Sequence, residues 1–483
     1  MRNFFKPVAA YLLLILSASC SSGGSGVKLS DSALPKPGII HEKIVCSSDQ
    51  NRSYALFVPG TATAPPLTPP QAGRGTGSNR LYPVIIVFDP HGDGVLPLKK
   101  YQVLAEKYGF MLVGSNDSKN GLPAEDIKGI VTALMLDVRT IYPVDTNRIF
   151  LLGFSGGARV AAMAALYQTP VKGVIGCGAG FGSAEQPIRF KFDYFGIAGT
   201  GDFNMDEMMQ LDEPLTRAGF RHVITTFPGI HAWPPVETME DAFCWITLNS
   251  MKDGVLKKDD QFISGVSSLF DHRINELKNN NQLITAADVC REAISFMDGL
   301  MPTDKFKAEQ TSIENQPAYQ SQLAYRQKIQ KQEGEEKQEL MQALQSRDLA
   351  WWKKKIANYE LRMTNDKLKR SRVNAEDTLR NRRLMAFLSL FCYMNANAAL
   401  AQQDQNAALK IIAIYEMADS ANPEPNYMRA VLLARRSENE AAIAQLKISI
   451  SKGFEDKKRL TGQPEFTPLN SSPAWFDLLK TLK

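Results

Sequence analysis

The sequence contains little cysteine and histidine, and it has no strong excess of charge of either sign. Its six cysteines are spread over 483 residues without a C-x-x-C pair, which excludes a disulfide framework. The five histidines lack the H-E-x-x-H spacing of a zinc-binding helix, so no metal site is predicted. Lys and Arg outnumber Asp and Glu by 56 to 51, and this net charge of +5 is too small to indicate nucleic acid as a partner.

Long hydrophobic runs are also missing after the first twenty residues, so no transmembrane helix is predicted. The chain begins with two cationic residues, Arg2 and Lys6, and continues into an apolar run at 8–16. A helix of this length rises only about 13 Å, far less than the ~30 Å hydrocarbon core of a bilayer. The start of the chain is therefore typical of a signal peptide.

Small residues lead from this run into Cys20 in a pattern that resembles a bacterial lipobox, although Ser17 replaces the usual aliphatic residue. Cleavage before Cys20 would leave an N-terminal thiol for a diacylglycerol anchor. The resemblance implies a lipoprotein of the bacterial cell envelope, held on the outer membrane with its body on the periplasmic or surface side. The alternative is a plain secretory peptide in which Cys20 has no such role.

The remaining chain divides by periodicity into an α/β part and a helical part. Short β-rich runs alternate with helical runs up to residue 250, which is typical of a mainly parallel sheet covered on both faces. A loop rich in Pro, Gly and Thr interrupts this part at 60–80. The predicted segments are a lipoprotein signal peptide at 1–19, a flexible tether at 20–35, an α/β domain at 36–250, a charged helical region at 255–385 and helical repeats at 386–483.

The alternation can be assigned element by element. The β-rich runs lie at 53–58, 83–88, 110–114, 148–153, 173–177, 192–198 and 222–227. The helical runs between and after them lie at 98–108, 124–141, 157–167, 206–218 and 236–250. The fold class is therefore α/β, a doubly wound sheet followed by an all-α region.

The last ninety residues contain an internal repeat. The Tyr-Met pair at Tyr393 recurs at Tyr427, and the segment 406–409 recurs at 440–443, both after 34 residues. This period and pattern resemble tetratricopeptide repeats, although the Trp and Gly of the usual pattern are missing. Such a surface binds a protein partner, and the alternative is a helical buttress without a ligand.

Residues 351–383 hold 11 Lys and Arg against 4 Asp and Glu, so this stretch alone carries +7. A functional interpretation is contact with an anionic partner or a membrane surface. The alternative is a solvated face of a helix.

The chemistry is carried by a G-x-S-x-G motif at 153–157. A strand-like run directly precedes it and a helix of small residues directly follows it. A sharp turn from strand to helix lifts the hydroxyl of Ser155 clear of the sheet, and it needs glycine on both sides to avoid backbone clashes. The context favours a nucleophile over a structural serine.

A serine hydroxyl needs a base to take its proton before it can act as a nucleophile. In chains with this strand-to-helix turn, the acid and then the histidine follow the serine in the sequence. Three histidines lie downstream, and His231 is favoured because it lies in a loop between a strand and a helix, whereas His222 begins an apolar run and His272 belongs to the helical part. Asp202 ends the preceding strand in a Gly-rich turn and is the favoured acid. Asp206 is the second candidate, with helix capping as its alternative role.

The oxyanion of an acyl-transfer reaction needs two amide donors. One is expected at Gly156, the residue after the nucleophile. The other is expected in the His-Gly-Asp-Gly turn after an earlier strand, with Gly92 or Asp93 as the donor. His91 in the same turn is expected to orient the loop.

Together these motifs resemble the α/β-hydrolase family over the α/β domain. The run Val-Asp-Thr-Asn-Arg at 144–148 and the G-x-H-x-W around His231 are similar to the polyhydroxybutyrate-depolymerase and feruloyl-esterase group. The resemblance implies a secreted or surface carboxylesterase that uses a Ser-His-Asp triad and no cofactor, with small-molecule or polysaccharide esters as substrates. Two alternatives remain: a serine peptidase of the same fold, and a partner-binding lipoprotein whose hydrolase domain is vestigial.

Overall fold

The structure is a computed structural model that describes residues 35–60, 81–182, 189–364 and 372–482. The predicted signal peptide, Cys20 and nearly all of the predicted tether lie outside the described residues, as does the loop at 61–80.

Eight strands form one sheet. They are β1 Ile40–Val45, β2 Ser53–Phe57, β3 Tyr82–Phe88, β4 Met111–Ser115, β5 Val144–Phe154, β6 Gly173–Cys177, β7 Asp193–Gly199 and β8 His222–Phe227. Their order across the sheet is β1-β2-β4-β3-β5-β6-β7-β8. β2 runs antiparallel to both of its neighbours, and every other pair is parallel. This is the strand order of an α/β-hydrolase fold.

Helices cover both faces of the sheet. They are α1 Val95–Tyr108, α2 Ala124–Thr140, α3 Gly156–Met163, α4 Met205–Met209, α5 Asp212–Arg217 and α6 Val236–Lys252. α1 and α6 pack on one face, while α2 to α5 pack on the other. Alternate residues of β3 enter opposite cores, Ile85 on the first side and Ile86 on the second, which is why this strand is apolar throughout. The predicted α/β class is confirmed.

Two elements differ from the sequence prediction. The edge strand β1 was not predicted, because its charged and partly exposed residues break the apolar alternation that marks a strand. The helix predicted at 206–218 is two short helices, α4 and α5. Pro214 has no amide hydrogen, and its ring would clash with a carbonyl four residues earlier, so it fits only in the first turn of a new helix.

Eleven further α-helices and a 3-10 helix, Pro464–Ser471, follow in the rest of the described chain. The α-helices are α7 Asp260–Asn279, α8 Leu283–Met297, α9 Asp304–Glu314, α10 Pro317–Ser346, α11 Leu349–Thr364, α12 Arg372–Ala401, α13 Gln405–Ala418, α14 Glu424–Arg435, α15 Asn439–Ser451, α16 Lys457–Gly462 and α17 Pro473–Thr481. α12 packs on α13, and α14 packs on α15. α13 and α15 begin 34 residues apart, as the repeat predicts, and the tetratricopeptide assignment stays a prediction.

Apolar packing does not stop at residue 250. The core beneath α1 and α6 continues through α7, α8 and α9 to Tyr319 at the start of α10. A separate helical core begins at Leu340, near the end of the same helix, and runs to Leu482. α10, 30 residues and therefore about 45 Å long, joins the two cores. The domain limits themselves stay a prediction.

One helix in the described ranges is long and apolar enough to span a membrane by length and composition, and it is the part of α12 at Glu376–Ala401. That helix packs on α10, α11, α13 and α14. It also buries three polar residues, Arg380, Asn381 and Arg383. These contacts are those of a core helix of the helical region.

The cysteines in the described ranges lie in the protein core. Cys46, Cys177, Cys244, Cys290 and Cys392 are all buried and free. Burial raises the pKa of Cys46, Cys290 and Cys392 to about 12, so these side chains stay protonated thiols at neutral pH.

Candidate active site

Ser155 lies at the turn between β5 and α3, in a backbone conformation with φ of 52° that L-residues rarely adopt. The glycines of the motif make this turn sterically feasible. A Cβ at Gly153 would lie 2.2 Å from the carbonyl oxygen of Gly157, and a Cβ at Gly157 would lie 2.0 Å from that of Phe88. Both contacts are with backbone atoms, which cannot move aside. Gly153 and Gly157 are therefore required by the close packing of the backbone around the turn.

The structure brings Ser155, His231 and Asp202 together. His231 Nε2 lies 2.9 Å from Ser155 Oγ, and His231 Nδ1 lies 2.8 Å from Asp202 Oδ2. In the tautomer with its proton on Nδ1, the imidazole donates to the carboxylate and accepts from the hydroxyl. Asp202 is buried, with 1% of its side chain exposed, whereas 19% of His231 is exposed. The histidine can therefore reach a substrate while the acid is shielded from water.

Topology explains this meeting. Ser155, Asp202 and His231 follow β5, β7 and β8, which are parallel strands of one sheet. Parallel strands end at the same edge of a sheet, so loops that are distant in sequence come together there. The turn that carries Asp202 (the acid turn, 199–202) also contacts the loop that carries His231 (the histidine loop, 228–235) directly. The amide of Gly201 donates to the carbonyl of Gly229 at 2.7 Å.

Further hydrogen bonds orient the acid. The backbone amide of Asn204 donates to Asp202 Oδ1 at 2.8 Å, which leaves Oδ2 for His231. The side chain of Asn204 in turn donates from Nδ2 to the carbonyl of Gly178, again at 2.8 Å. The carboxylate is thus held by both oxygens.

The other candidates are engaged elsewhere. His222 contacts the carboxylate of Asp212 through Nε2 at 3.1 Å. Asp206 accepts a hydrogen bond from Lys337 at 3.4 Å. His272 lies in α7. Among the sequence candidates, the hydrogen-bond chain to Ser155 runs through His231 and Asp202.

Buried Asp89 connects the predicted oxyanion loop to the histidine loop, a link that the sequence analysis missed. It accepts a hydrogen bond from the indole of Trp233 at 3.0 Å and another from the amide of His91 at 2.8 Å. Burial raises the pKa of Asp89, but the bonds from His91 and Trp233 outweigh it and hold that pKa below its usual value. Asp89 is therefore an ionised anchor for both loops.

Two phenyl rings contact the imidazole. The centroid of Phe203 lies 4.3 Å from that of His231, and the centroid of Phe154 lies 4.7 Å from it. Phe203 directly follows the acid and Phe154 directly precedes the serine. These contacts limit the orientations that the imidazole can adopt.

The predicted oxyanion donors differ in whether their amides already have an acceptor. Gly156 is the first residue of α3, and such a residue has no acceptor for its amide within the helix. The amide of Gly92 is occupied, because it donates to the carbonyl of Asp89 at 3.3 Å. The carboxylate of Asp93 accepts from the amides of Val95 and Leu96 and so caps α1. Of the two residues in this loop, Gly92 is therefore the less available donor, and Asp93 stays a prediction.

Asn120 is a site residue that the sequence analysis missed. A Cβ built on Gly156 would lie only 1.8 Å from Asn120 Oδ1, so the carboxamide lies directly against the residue after the serine. The amide of Asn120 donates to the carbonyl of Pro90 at 2.8 Å, which fixes this loop against the oxyanion loop. The one available signal was its position shortly after β4, at the edge of the sheet where the other site residues lie.

The comparisons with known proteins found only distant structural likenesses. No protein-family model matches it, and no curated protein matches it. It is similar to the S-formylglutathione hydrolase of Staphylococcus aureus, with 13% identity, a TM-score of 0.35, and coverage of 44% of this chain and 99% of that one.

Two esterases are similar at the same level. One is from Pyrobaculum calidifontis, with 14% identity, a TM-score of 0.34, and coverage of 46% of this chain and 87% of that one. The other is the carboxylesterase of Bacillus cereus, with 18% identity, a TM-score of 0.31, and coverage of 41% and 95%. Likenesses this distant carry no weight for function. The protein has an α/β-hydrolase fold followed by a helical region, and its similarity to the depolymerase and feruloyl-esterase group stays a prediction.

Proposed function

We propose that this chain is a serine hydrolase that cleaves carboxylic esters through an acyl-enzyme. Ser155 is the nucleophile, His231 the general base and acid, and Asp202 the residue that orients His231. The observation that carries this proposal is the continuous chain of hydrogen-bond contacts from Asp202 through His231 to Ser155, at 2.8 and 2.9 Å. A serine held at the tip of a strand-to-helix turn beside an oriented imidazole is equipped for acyl transfer.

The proposed reaction uses each of these three residues in turn. Ser155 Oγ attacks the ester carbonyl while His231 Nε2 takes its proton, and the side chain of Asp202 stabilises the resulting imidazolium. The tetrahedral oxyanion accepts hydrogen bonds from the amides of Gly156 and Asp93. The intermediate collapses as His231 returns the proton to the departing alcohol. Water then repeats the sequence on the acyl-enzyme and releases the acid.

The substrate class and the location extend this proposal. We propose acyl or feruloyl esters on polysaccharides as substrates, met at the bacterial envelope by an enzyme anchored through lipidated Cys20. The support is the similarity of the motifs at 144–148 and around His231, together with the signal pattern before Cys20. A serine peptidase remains the alternative, and a protein partner on the helical repeats is a further prediction.

The decisive test is labelling by a fluorophosphonate, which reacts only with an activated serine. The chain from Ser21 onward is compared with its Ser155→Ala, His231→Ala and His222→Ala variants. We expect the wild type and the His222→Ala control to be labelled, and the other two to be unlabelled or labelled far more slowly. A wild type that is not labelled contradicts the proposal. Parallel ester and peptide panels then separate esterase from peptidase.

The anchor has its own test. Bacteria expressing the full chain are grown with a clickable palmitate analogue, and the protein is isolated. We expect incorporation into the wild type and none into Cys20→Ala. Equal incorporation in both, or incorporation in neither, removes the lipoprotein assignment without affecting the hydrolase assignment.

A further inference from the structure

A buried ion pair joins α10 to α12. Arg383 Nη2 lies 2.6 Å from Glu333 Oε2, and Arg383 Nε lies 2.9 Å from the same oxygen. Only 2% of the arginine side chain and none of the glutamate side chain is exposed. Two charges removed from water are tolerated only when their geometry is good and their remaining hydrogen-bonding groups are satisfied.

The remaining nitrogen of the guanidinium, Nη1, makes its hydrogen bond on the other side of the interface, in the turn at 199–202 that carries Asp202. Arg383 Nη1 donates to the backbone carbonyl of Thr200 at 2.7 Å. Thr200 is two residues before Asp202, and its own amide donates to the carbonyl of Phe227 at 2.9 Å. The turn is therefore held by the end of β8 from one side and by a charged donor of the helical region from the other.

Other contacts strengthen the same interface. Lys337, one turn after Glu333 on α10, lies 2.9 Å from that carboxylate and 3.4 Å from the carboxylate of Asp206. Met205, whose amide donates to the carbonyl of Asp202 at 3.0 Å, lies with its Sδ 4.0 Å from Arg383 Nη1. The helical region thus meets the segment that carries the acid at three points.

We propose that Arg383, held by Glu333, is a positioning residue for the triad, so that the helical region is a working part of the hydrolase. This inference rests on the proposed function. Arg383 touches no reacting atom; it fixes the carbonyl of Thr200, and the turn then presents Asp202 to His231 at hydrogen-bond distance. Misplacement of a catalytic group by 1 Å costs about a hundredfold in rate, so loosening this turn lowers kcat.

The test removes both charges at once with the double variant Glu333→Leu/Arg383→Met. Leu and Met approximate the original volumes and leave no unpaired buried charge, which is the replacement that proteins tolerate best. The bond to Thr200 is lost. We expect kcat for ester hydrolysis to fall by about tenfold or more with little change in KM, and fluorophosphonate labelling to slow in parallel.

A control pair with matching contacts, although partly exposed, lies within the helical region. Arg435 Nη2 is 2.7 Å from Glu465 Oε1, and Arg435 Nη1 donates to the carbonyl of Leu400 at 2.7 Å. This pair has the same chemistry but joins helices of the helical region alone. The variant Glu465→Leu/Arg435→Met is expected to keep kcat within twofold of the wild type. Should the first double variant fail to fold, Arg383→Lys keeps a charge beside Glu333 without the forked donor, and the same loss of kcat is expected.

Hydrogen exchange read by mass spectrometry tests the positioning independently of activity. The amides of Gly201, Asp202 and Met205 are hydrogen-bonded within and beside the acid turn. We expect them to exchange faster in the Glu333/Arg383 variant and at the wild-type rate in the control. Unchanged exchange overturns the inference, and so does unchanged kcat in an active enzyme. If the wild type hydrolyses no ester, the proposed function fails, and the exchange result still decides whether Arg383 holds the turn.

Discussion

Gly178 lies directly against the triad, and its replacement by alanine is the sharpest test of the site geometry. It follows β6, has a φ of +65°, and its amide donates to the carbonyl of Ile197 at 2.8 Å. An alanine Cβ would lie 2.8 Å from Phe154 Cε2, 3.1 Å from Asp202 Oδ2 and 3.2 Å from His231 Cε1. One added methyl group would therefore press on both members of the acid–base pair.

The substitution Gly178→Ala is expected to have two effects, a loss of stability and a loss of kcat. The left-handed backbone conformation costs an L-residue about 1–2 kcal/mol, which lowers the free energy of unfolding of the variant. The contacts are closer than the ~3.5 Å optimum of van der Waals pairs, so Phe154 must shift by about 0.7 Å and the side chains of Asp202 and His231 by about 0.3–0.4 Å. Since a 1 Å misplacement costs about a hundredfold, we expect kcat of Gly178→Ala to fall about tenfold.

Gly254→Ala separates the two parts. Gly254 has a φ of +71°, and nothing lies within 4 Å of its Cβ position, so this variant carries the backbone cost alone. Both variants are compared by urea unfolding and by steady-state hydrolysis of a chromogenic ester. We expect similar losses of stability but a loss of kcat only in Gly178→Ala. If Gly178→Ala keeps the wild-type kcat, the methyl group does not displace the acid–base pair and the argument is wrong.

Two further variants test the orienting acid and a buried carboxyl group in the helical region. Asp202→Asn is expected to lower kcat by about 10⁴, as does the loss of the orienting acid in other serine hydrolases, while Asp212→Asn, which alters the contact of His222, leaves kcat unchanged in the same steady-state assay. Burial raises the pKa of Glu292 to about 8, from an ordinary 4.5, so the folded state keeps a proton that the unfolded chain releases, and stability falls as pH rises from about 4.5 to 8. Glu292→Gln should therefore stabilise the protein by about 1–3 kcal/mol at pH 7 and have no such effect at pH 4.5, as measured by urea unfolding at both pH values.

The parts of the fold that the sequence predicts are those fixed by local rules. The strand β3 is buried on both sides and is apolar at every position, so its pattern is visible without knowing the fold. Any Cβ at Gly153 or Gly157 would lie about 2 Å from a backbone oxygen, so only glycine fits at these positions. This requirement is visible in the sequence as a motif. The order of acid and histidine along the chain follows from the order of the parallel strands.

The residues that sequence reasoning missed depend on contacts between distant segments. Asn120 belongs to no motif, and its place beside Gly156 comes from the loop after a different strand. Trp233 and Asp89 are 144 residues apart, and the bond between them depends on how two loops meet at the edge of the sheet. The edge strand β1 is partly exposed along its length and contains charged residues, so its sequence does not reveal the pairing with β2.

Arg383 shows why charge counting could not assign the basic stretch at 351–383. Its place in a run that carries +7 predicts a solvated helical face or, as the less favoured interpretation, contact with an anionic partner. Arg383 is instead buried against Glu333, 50 residues away, and Thr200, 183 residues away. A helical region whose only task is to recruit a partner needs no buried arginine on the acid turn of another core. The cost of desolvating that charge is offset by the ion pair with Glu333 and the hydrogen bond to Thr200, and the second of these exists only while the turn and the helices are packed together. The interface therefore favours one enzyme with a helical support over a vestigial hydrolase joined to a binding module.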